Sequence, residues 1–147
     1  MPQIETKGIK QYEATLRALG NYKTVVKMCK YTLYDASGMV LEELKKATPV
    51  GDDPRTAGDL RDSIISTPMK DDNGFISERL TFVGYDRKGA PNIVVARTLE
   101  SGRHGPRGIE GKHPFVRPTV RRVSKLAEFM MDKAANEYLS HFMKKEK

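Results

Sequence analysis

Two histidines and two glutamates lie close together in the sequence, where imidazole and carboxylate groups could bind a metal ion. They are Glu100, His104, Glu110 and His113. The histidines are nine residues apart in a glycine-rich segment, without the one-turn spacing with which a helix presents two imidazoles to zinc. We therefore expect exposed polar side chains here, and neither a metal nor a cofactor.

A group of aspartates is the second candidate for chemistry, and its members are Asp52, Asp53, Asp59 and Asp62. Their spacing matches no calcium-binding loop, and carboxylates are frequent in turns because they accept hydrogen bonds from nearby backbone N–H groups. Gly105, Gly108 and Gly111 recur every three residues. A phosphate-binding loop follows a strand, and no strand is predicted before these glycines. No catalytic arrangement emerges, so the sequence predicts a protein that is not an enzyme.

The positive charge is concentrated in one part of the chain. Residues 103–147 carry eleven Lys/Arg and five Asp/Glu and so contribute +6 of the net charge of +7. Such asymmetry fits an acidic protein partner, nucleic acid, or simply a solvated helix face. Single-strand binding needs aromatic platforms between the cations, and Phe115 is the one aromatic residue between positions 103 and 125. Duplex binding through phosphates stays open, with Arg103, Arg107, Lys112, Arg117, Arg121, Arg122 and Lys125 as its candidates.

Length and composition predict a single domain over residues 1–147 in a reducing compartment. The one cysteine, Cys29, excludes an internal disulfide framework. No apolar run approaches the roughly 20 residues that span a bilayer, and the first residues, MPQIETKGIK, lack the apolar core of a secretory signal. We expect a soluble protein of the cytoplasm.

Helical periodicity dominates both ends of the chain. Residues 8–47 predict two helices, one over 9–19 and one from Asn21, a good N-cap, to Ala47. The apolar stripe of the second is Val26, Cys29, Leu33, Ala36, Val40 and Leu44. Gly38 within it suggests a close packing point. A C-terminal helix is predicted over 117–143, with core positions at Val120, Val123, Leu126, Ala127, Met130, Met131, Ala134, Tyr138, Leu139 and Phe142.

A β-hairpin is predicted over 60–86, because Asn73-Gly74 lies between two apolar runs. A two-residue turn there pairs Asp72 with Phe75, Ile65 with Phe82 and Thr67 with Leu80, and the last four would share the core face. Pro68 cannot donate a ladder hydrogen bond, so its strand should be an edge or bulged. Residues 91–100 fit a helix or a strand; Pro91 and Gly102 favour the helix.

Residues 101–115 form a glycine-rich basic loop between two apolar anchors. Loops of this length without structure of their own are usually functional or disordered, and we interpret this one as a projecting docking loop. The fold class that follows is α+β. Long N-terminal and C-terminal helices pack on a small antiparallel sheet, the hairpin centred on Asn73-Gly74.

Two stretches resemble the sequence patterns of a known protein family. Residues 56–64, TAGDLRDSI, resemble its pattern Thr-Gly-x-Leu-Arg-x-Ser-Ile, which follows a helix ending in Ala-x-Pro-Val, here residues 47–50. Residues 96–118 resemble its second pattern, Ala-Arg-x-Leu-Glu-x-Gly, a variable loop and Pro-Phe-x-Arg-Pro. The family comprises the minor tail, or tail-completion, proteins of long-tailed lambdoid-type phages, and the similarity extends over residues 10–140.

The resemblance implies a non-enzymatic virion protein at the head-proximal end of the tail, which takes part in head–tail joining at the neck. It would form a homo-oligomeric ring, a hexamer, between the tail tube or tail terminator protein and the head-completion or connector proteins. DNA would pass through without specific binding, and no membrane is involved. The protein would be assembled in the host cytoplasm. The alternative is a basic DNA-binding accessory protein of a phage or prophage.

Within that family the loop supplies the candidate site residues. Its proposed interface residues are Arg103, His104, Arg107, Lys112 and His113. Its proposed anchors are Glu100, Phe115 and Arg117. An ion pair between Glu100 and Arg117 would close the loop at its two ends, although each could equally face solvent separately. Phe115 would enter the core between Pro114 and Pro118.

Overall fold

The computed structural model describes residues 17, 19–73 and 75–144, with the side chains of Glu110, Phe142 and Met143 left aside. Most of the predicted helix over 9–19 lies outside the described residues, as does Gly74. No cis peptide bond occurs among the described residues.

The first helix, α1 (Tyr22–Ala47), begins and ends where the sequence predicts. The Asn21 side chain accepts a hydrogen bond from the backbone N–H of Lys23 at 3.0 Å, which satisfies one of the free donors at the helix start. Ala36 and Leu44 are buried, and the other members of the predicted stripe are half-buried. The expectation of close packing at Gly38 is wrong, because a Cβ added there would meet nothing within 4 Å.

A one-turn helix, α2 (Asp59–Asp62), leads into a long hairpin of four short strands. They are β1 (Ile64–Ser66), β2 (Lys70–Asp72), β3 (Phe75–Ser77) and β4 (Leu80–Phe82), and the pairs β2–β3 and β1–β4 are antiparallel.

The register of the hairpin matches the prediction near the turn and differs by one residue at the core. Asp72 pairs with Phe75, as predicted. Further along, Ile64, not Ile65, pairs with Phe82, and Ser66, not Thr67, pairs with Leu80. Because three residues (67–69) face two (78–79) between these pairs, the Pro68 segment holds a bulge. The pairing predicted beyond this point is therefore wrong, whereas the predicted bulge is confirmed.

Residues 92–101 are helical, which settles the open choice between helix and strand. Helix α3 (Asn92–Ser101) starts after Pro91 and ends at Gly102, whose φ of 78° suits glycine. Two strands follow, β5 (Arg103–Gly105) and β6 (Gly108–Glu110), and they pair with each other. The loop expected to lack structure is therefore a second hairpin; we call residues 102–112 the basic arm.

The last helix, α4 (Val116–Lys144), packs mainly along α1. Val123 and Ala134 are buried in this contact, and the rings of Tyr31 and Tyr138 lie 5.5 Å apart. Val120 and Leu126, predicted as core, are exposed. One helix needs only a narrow stripe to pack against one other, so the wide apolar face of α4 is partly left in solvent.

The core is formed where the elements converge. Leu44 of α1, Leu60 of α2, Ile64 of β1, Ala96 of α3 and Phe115 before α4 form one buried cluster. The hairpin contacts α1 through β1 and β3, and β4 contacts α3. The predicted α+β class, with two long helices and small antiparallel sheets, is thus confirmed.

Candidate docking surface

The basic arm is a two-stranded hairpin closed by a two-residue turn. Arg103 pairs with Glu110, and Gly105 with Gly108, which leaves Pro106 and Arg107 in the turn. Proline sets the φ angle that the first turn position needs. Gly108 has a φ of 104°, which a residue with a Cβ rarely adopts. The turn chemistry therefore produces a defined hairpin, with Arg107 at its tip.

The side chains predicted as interface residues lie together on the arm and its return to the body. Arg103, His104, Arg107, Lys112 and His113 are all exposed. Their side chains make no hydrogen bond or ion pair with any other described residue. Ile109 is also exposed on β6. The arm thus offers to solvent an apolar side chain and three cations that have no partner among the described residues.

Glu100 holds the arm where it joins the body. Its carboxylate accepts hydrogen bonds from the backbone N–H groups of Phe115 (2.9 Å), Val116 (3.0 Å) and Arg117 (2.9 Å). These are free donors at the start of α4, where the helix dipole also favours a negative charge. Glu100, at the end of α3, therefore caps a helix that begins sixteen residues further along the chain, and it closes the segment between them.

The same contacts determine the ionisation of Glu100. Burial opposes the charged form, but the backbone N–H donors of Arg117, Phe115 and Val116 together outweigh it and hold the pKa of Glu100 below its ordinary value. A charged carboxylate at the root is thus part of the fold at neutral pH.

The predicted Glu100–Arg117 ion pair is a marginal contact. Arg117 Nε lies 3.9 Å from Glu100 Oε1, and the Arg117 side chain is 74% exposed. Exposed ion pairs contribute little to stability. Glu100 therefore holds the start of α4 through the backbone N–H groups, including that of Arg117. The Arg117 guanidinium is not the principal partner.

On the other side of the arm, the Phe115 side chain lies in the core. It is 5% exposed within the core cluster, and its ring meets that of Phe82 edge-on, with centroids 6.0 Å apart. His113 N–H donates to the Leu99 carbonyl at 2.7 Å. Residues 113–115, between the arm and α4, are therefore tied to α3 and to the core.

The aspartates are turn and ion-pair residues. Asp53 accepts a hydrogen bond from the backbone N–H of Arg55 at 3.0 Å and contacts the Lys88 ammonium. The Lys88 contact is the main reason that the pKa of Asp53 falls to about 2. Asp59 accepts from the Arg87 guanidinium at 2.9 Å and from its backbone N–H. These contacts tie Arg87 and Lys88 to the first residue of α2 and to the loop before it.

Sequence reasoning missed two features of this region. One is the cap by Glu100, although a signal existed: Pro114-Phe115-Val116 supplies no Ser, Thr, Asp or Asn at the start of α4, so its free N–H groups required a distant acceptor. The other is a pocket beside α3, whose Asn92 side chain is buried with one oxygen unpartnered. The sequence offers no signal for that oxygen.

Within the described ranges, no three His, Cys, Asp or Glu side chains lie close enough to hold a metal ion. No helix among the described residues is both long and apolar enough to cross a lipid bilayer.

The family model described as "Bacteriophage HK97-gp10, putative tail-component" matches residues 10–102. The match covers α1, the first hairpin and α3, and it ends at the root of the arm. No curated protein and no solved structure matches the chain.

Proposed function

The chain belongs to the HK97-gp10-like family of bacteriophage tail components, and we propose that it is a tail-completion protein that forms a ring at the head-proximal end of the tail. In this proposal it acts by protein–protein docking without catalysis. The chain assembles in the host cytoplasm and remains in the neck of the virion. The basic arm contacts the neighbouring neck proteins.

The observation that carries the docking role is the state of the arm cations. Arg103, Arg107 and Lys112 are exposed and have no partner within the described chain. In the body of the protein, by contrast, the carboxylates of Asp53, Asp59 and Glu43 each contact a cationic side chain. Unpaired cations on a defined hairpin steer association with an acidic surface and disfavour basic ones.

The root of the arm supports the same proposal. A docking element transmits binding energy best when its base is fixed, because less conformational freedom is then lost on binding. Glu100 and Phe115 fix both ends of the arm, through three backbone hydrogen bonds and through the core respectively. The arm is therefore a hairpin of defined direction on the body.

Charge reversal on the arm tests the proposal. The variant carries Arg103→Glu, Arg107→Glu and Lys112→Glu, and the matched control carries Lys23→Glu, Lys27→Glu and Lys30→Glu on the exposed side of α1. Exposed substitutions of this kind change the free energy of unfolding by under about 0.5 kcal/mol, so both proteins should fold and melt normally. Reversed charge at an interface adds repulsion that costs several kcal/mol of binding.

Electron microscopy of lysates provides the measurement, by counting free heads, free tails and joined particles. We expect filled heads and free tails with the arm variant, and normal yield with the α1 control. Normal yield from the folded arm variant would contradict docking through the arm. Equal loss in both variants would assign the effect to net charge instead.

A basic DNA-binding protein is the second candidate, favoured by the exposed cations Arg117, Arg121 and Lys125 at four-residue spacing on α4. Against it, Arg122 is engaged by Glu43 at 3.2 Å. Under the tail-completion proposal, duplex binding should be non-specific, with Kd of roughly 10⁻⁴–10⁻⁶ M at physiological salt. Nanomolar, sequence-selective binding in an anisotropy titration would favour this candidate.

A further inference from the structure

A groove of about 550 Å³ runs along the middle of α1, between the first hairpin and α4, and we call it the α1 groove. One wall is the stretch of α1 from Tyr34 to Glu42, and Glu78 of the first hairpin lies on the other side. The half-buried apolar side chains of the lining are Met39, Leu41 and Met130. Methionine side chains adapt to the shape of what they contact, so this lining suits a docking surface.

The α1 groove carries three carboxylates and, among the described residues, no cationic side chain. Asp35 and Glu42 are exposed, and neither forms a hydrogen bond or an ion pair with another described residue. Lys46, one turn beyond Glu42, pairs instead with Glu43 at 2.8 Å. Glu78 adds the third charge, but its Oε2 is buried. A basic partner in the groove would therefore meet Asp35 and Glu42.

Gly38 lies exposed in the α1 wall of this groove. Glycine is the poorest helix former after proline, yet Gly38 lies inside a 26-residue helix. Its backbone is helical and its φ is not positive, and a Cβ added there would meet nothing within 4 Å. Neither the conformation nor the packing of the described chain requires a glycine. A glycine does leave the helix backbone uncovered, so that another molecule can approach it closely.

The basic arm complements the α1 groove in charge and in shape. Its three cations are exposed and have no partner among the described residues. Ile109 on the arm is 59% exposed and can pack on an apolar lining. Gly105 pairs with Gly108 just behind the tip, so the arm is thin there and fits a groove that is open at Gly38.

The arm of the same chain does not occupy this groove. The residues that line the groove include none from the arm. Met130 lies fourteen residues after Val116, the start of α4, and hence about 21 Å along the helix from the end where the arm rejoins the body. The arm spans only about 13 Å from Arg103 to Arg107. It therefore falls short of the far end of the groove, and an arm from another molecule fits the groove better.

We propose that the basic arm of one copy docks in the α1 groove of the next copy. This inference rests on the proposed ring and identifies its subunit contact. Arm and groove are different surfaces, so the contact is head-to-tail and closes into a ring when the rotation between copies allows it. The arm cations lie beside Asp35 and Glu42, which orients the two copies. Ile109 packs on the methionines of the groove.

A large side chain at Gly38 tests the contact without disturbing the fold. Because a Cβ at this position meets open space, Gly38→Trp should show normal circular dichroism and an unchanged or higher melting temperature, while the indole fills the groove. We expect self-association at least about tenfold weaker in sedimentation experiments. The matched control is Lys23→Trp, exposed on the same helix fifteen residues away, or about 22 Å, and it should associate normally.

A charge exchange provides a second test on the full-length protein. The groove variant carries Asp35→Lys and Glu42→Lys, and it should associate at least about tenfold more weakly because the arm then meets like charges. Adding the three substitutions of the arm charge-reversal variant places opposite charges across every interface again. This combination should recover most of the association, a recovery that damage to folding would not produce. The control, Glu128→Lys with Asp132→Lys on α4, changes the net charge equally and should associate normally.

Disulfide cross-linking identifies the occupant of the groove. In a Cys29→Ser background, one preparation carries Arg107→Cys and another carries Gly38→Cys, so that a bond between these two positions can form only between copies. We expect strong cross-linking when the two are mixed before they associate, and little when Lys23→Cys replaces Gly38→Cys. Cross-linking within a dilute monomer that carries both cysteines, with none between the mixed preparations, would assign the groove to the arm of the same chain and overturn the inference.

The outcomes separate this inference from the proposed function. Rings that form normally from Gly38→Trp protein, with no cross-link between copies, would overturn the inference and leave the tail-completion role intact. Normal rings from Gly38→Trp protein together with loss of head–tail joining would also overturn it, because the groove would then bind another neck protein. Absence of any ring, in isolated protein and in assembled tails, would overturn both.

Discussion

The two hairpins in the described part of the chain are both antiparallel but are held in different ways. The first, over 64–82, continues directly into the core, where Ile64 pairs with Phe82. Its far end carries Asp71 and Asp72. The second, over 103–110, has exposed strands and a basic tip. The first hairpin belongs to the body, and the second extends from it.

The difference lies in the anchors. The first hairpin is anchored by its own strand residues, so its pairing and the core depend on each other. The arm is anchored by residues beyond its strands, Glu100 on one side and Phe115 on the other. The arm can therefore vary in charge and length without disturbing the core, provided that the two anchors remain.

The largest effect on this arrangement should come from Phe115→Ala. The ring is buried in the core and contacts Phe82, and truncation of a buried Phe costs about 3–5 kcal/mol of unfolding free energy. Urea denaturation followed by circular dichroism would measure the loss. Phe129→Ala is the matched control, because Phe129 is 64% exposed on α4 and should change stability by under about 1 kcal/mol.

A pair of adjacent substitutions tests the register of the first hairpin. Ile64 is 1% exposed and Ile65 is 41% exposed. Ile64→Ala should therefore cost about 2–5 kcal/mol, and Ile65→Ala under about 1 kcal/mol. Equal costs, or a larger cost at Ile65, would show that the strand pairs in the register predicted from the sequence.

That register shows where sequence reasoning stops. The turn at Asn73-Gly74 and the helix limits at Asn21 and Ala47 follow from local chemistry, and all three positions were predictable. A bulge at Pro68 was predictable, but the resulting change in strand register was not. One extra residue moves the next strand segment by one place and exchanges its two faces, so Ile64 takes the core position assigned to Ile65.

The candidate site divides in the same way. Its charge, its two ends and the burial of Phe115 could be read from the sequence, because each depends on residue type and order. The pairing of β5 with β6, the cap by Glu100 and the free oxygen of Asn92 could not. Each depends on which groups the folded chain brings together, and the residue pattern of a single segment does not record this.

A smaller effect is expected from Glu100→Ala, which removes the carboxylate from the start of α4. Loss of an N-cap acceptor costs about 0.5–2 kcal/mol, and here three backbone donors lose their partner. Arg117→Ala should cost under about 0.5 kcal/mol, since its guanidinium is exposed. A larger loss of unfolding free energy from Arg117→Ala than from Glu100→Ala would show that the ion pair is the main anchor.

The pH dependence of Glu100 follows from its lowered pKa. Because the folded-state pKa of Glu100 lies below its ordinary value of 4.5, the charged form stabilises the fold fully above that value. The contribution is lost as the pH falls through the folded-state pKa. Glu100→Gln should therefore be less stable than the wild type at pH 7 and approach it in acid. A difference that persists unchanged at pH 2–3 would contradict this role.

The smallest free energies should appear in the opening of the arm itself. A two-stranded hairpin is marginally stable in water, and the arm strands are mostly exposed, so their amides should exchange with solvent rapidly in the isolated protein. The amides of Thr67 and Val83, bonded to Arg79 and Ser63 at 2.8 and 3.0 Å in the first hairpin, should be protected far more strongly.

Docking would add partners to the arm and slow its exchange in assembled tails, with little change in the first hairpin. Hydrogen exchange by mass spectrometry on both samples separates the two hairpins. Arm amides that are as protected in the isolated chain as those of Thr67 and Val83 would mean that the arm is part of the body, and that docking is not needed to order it.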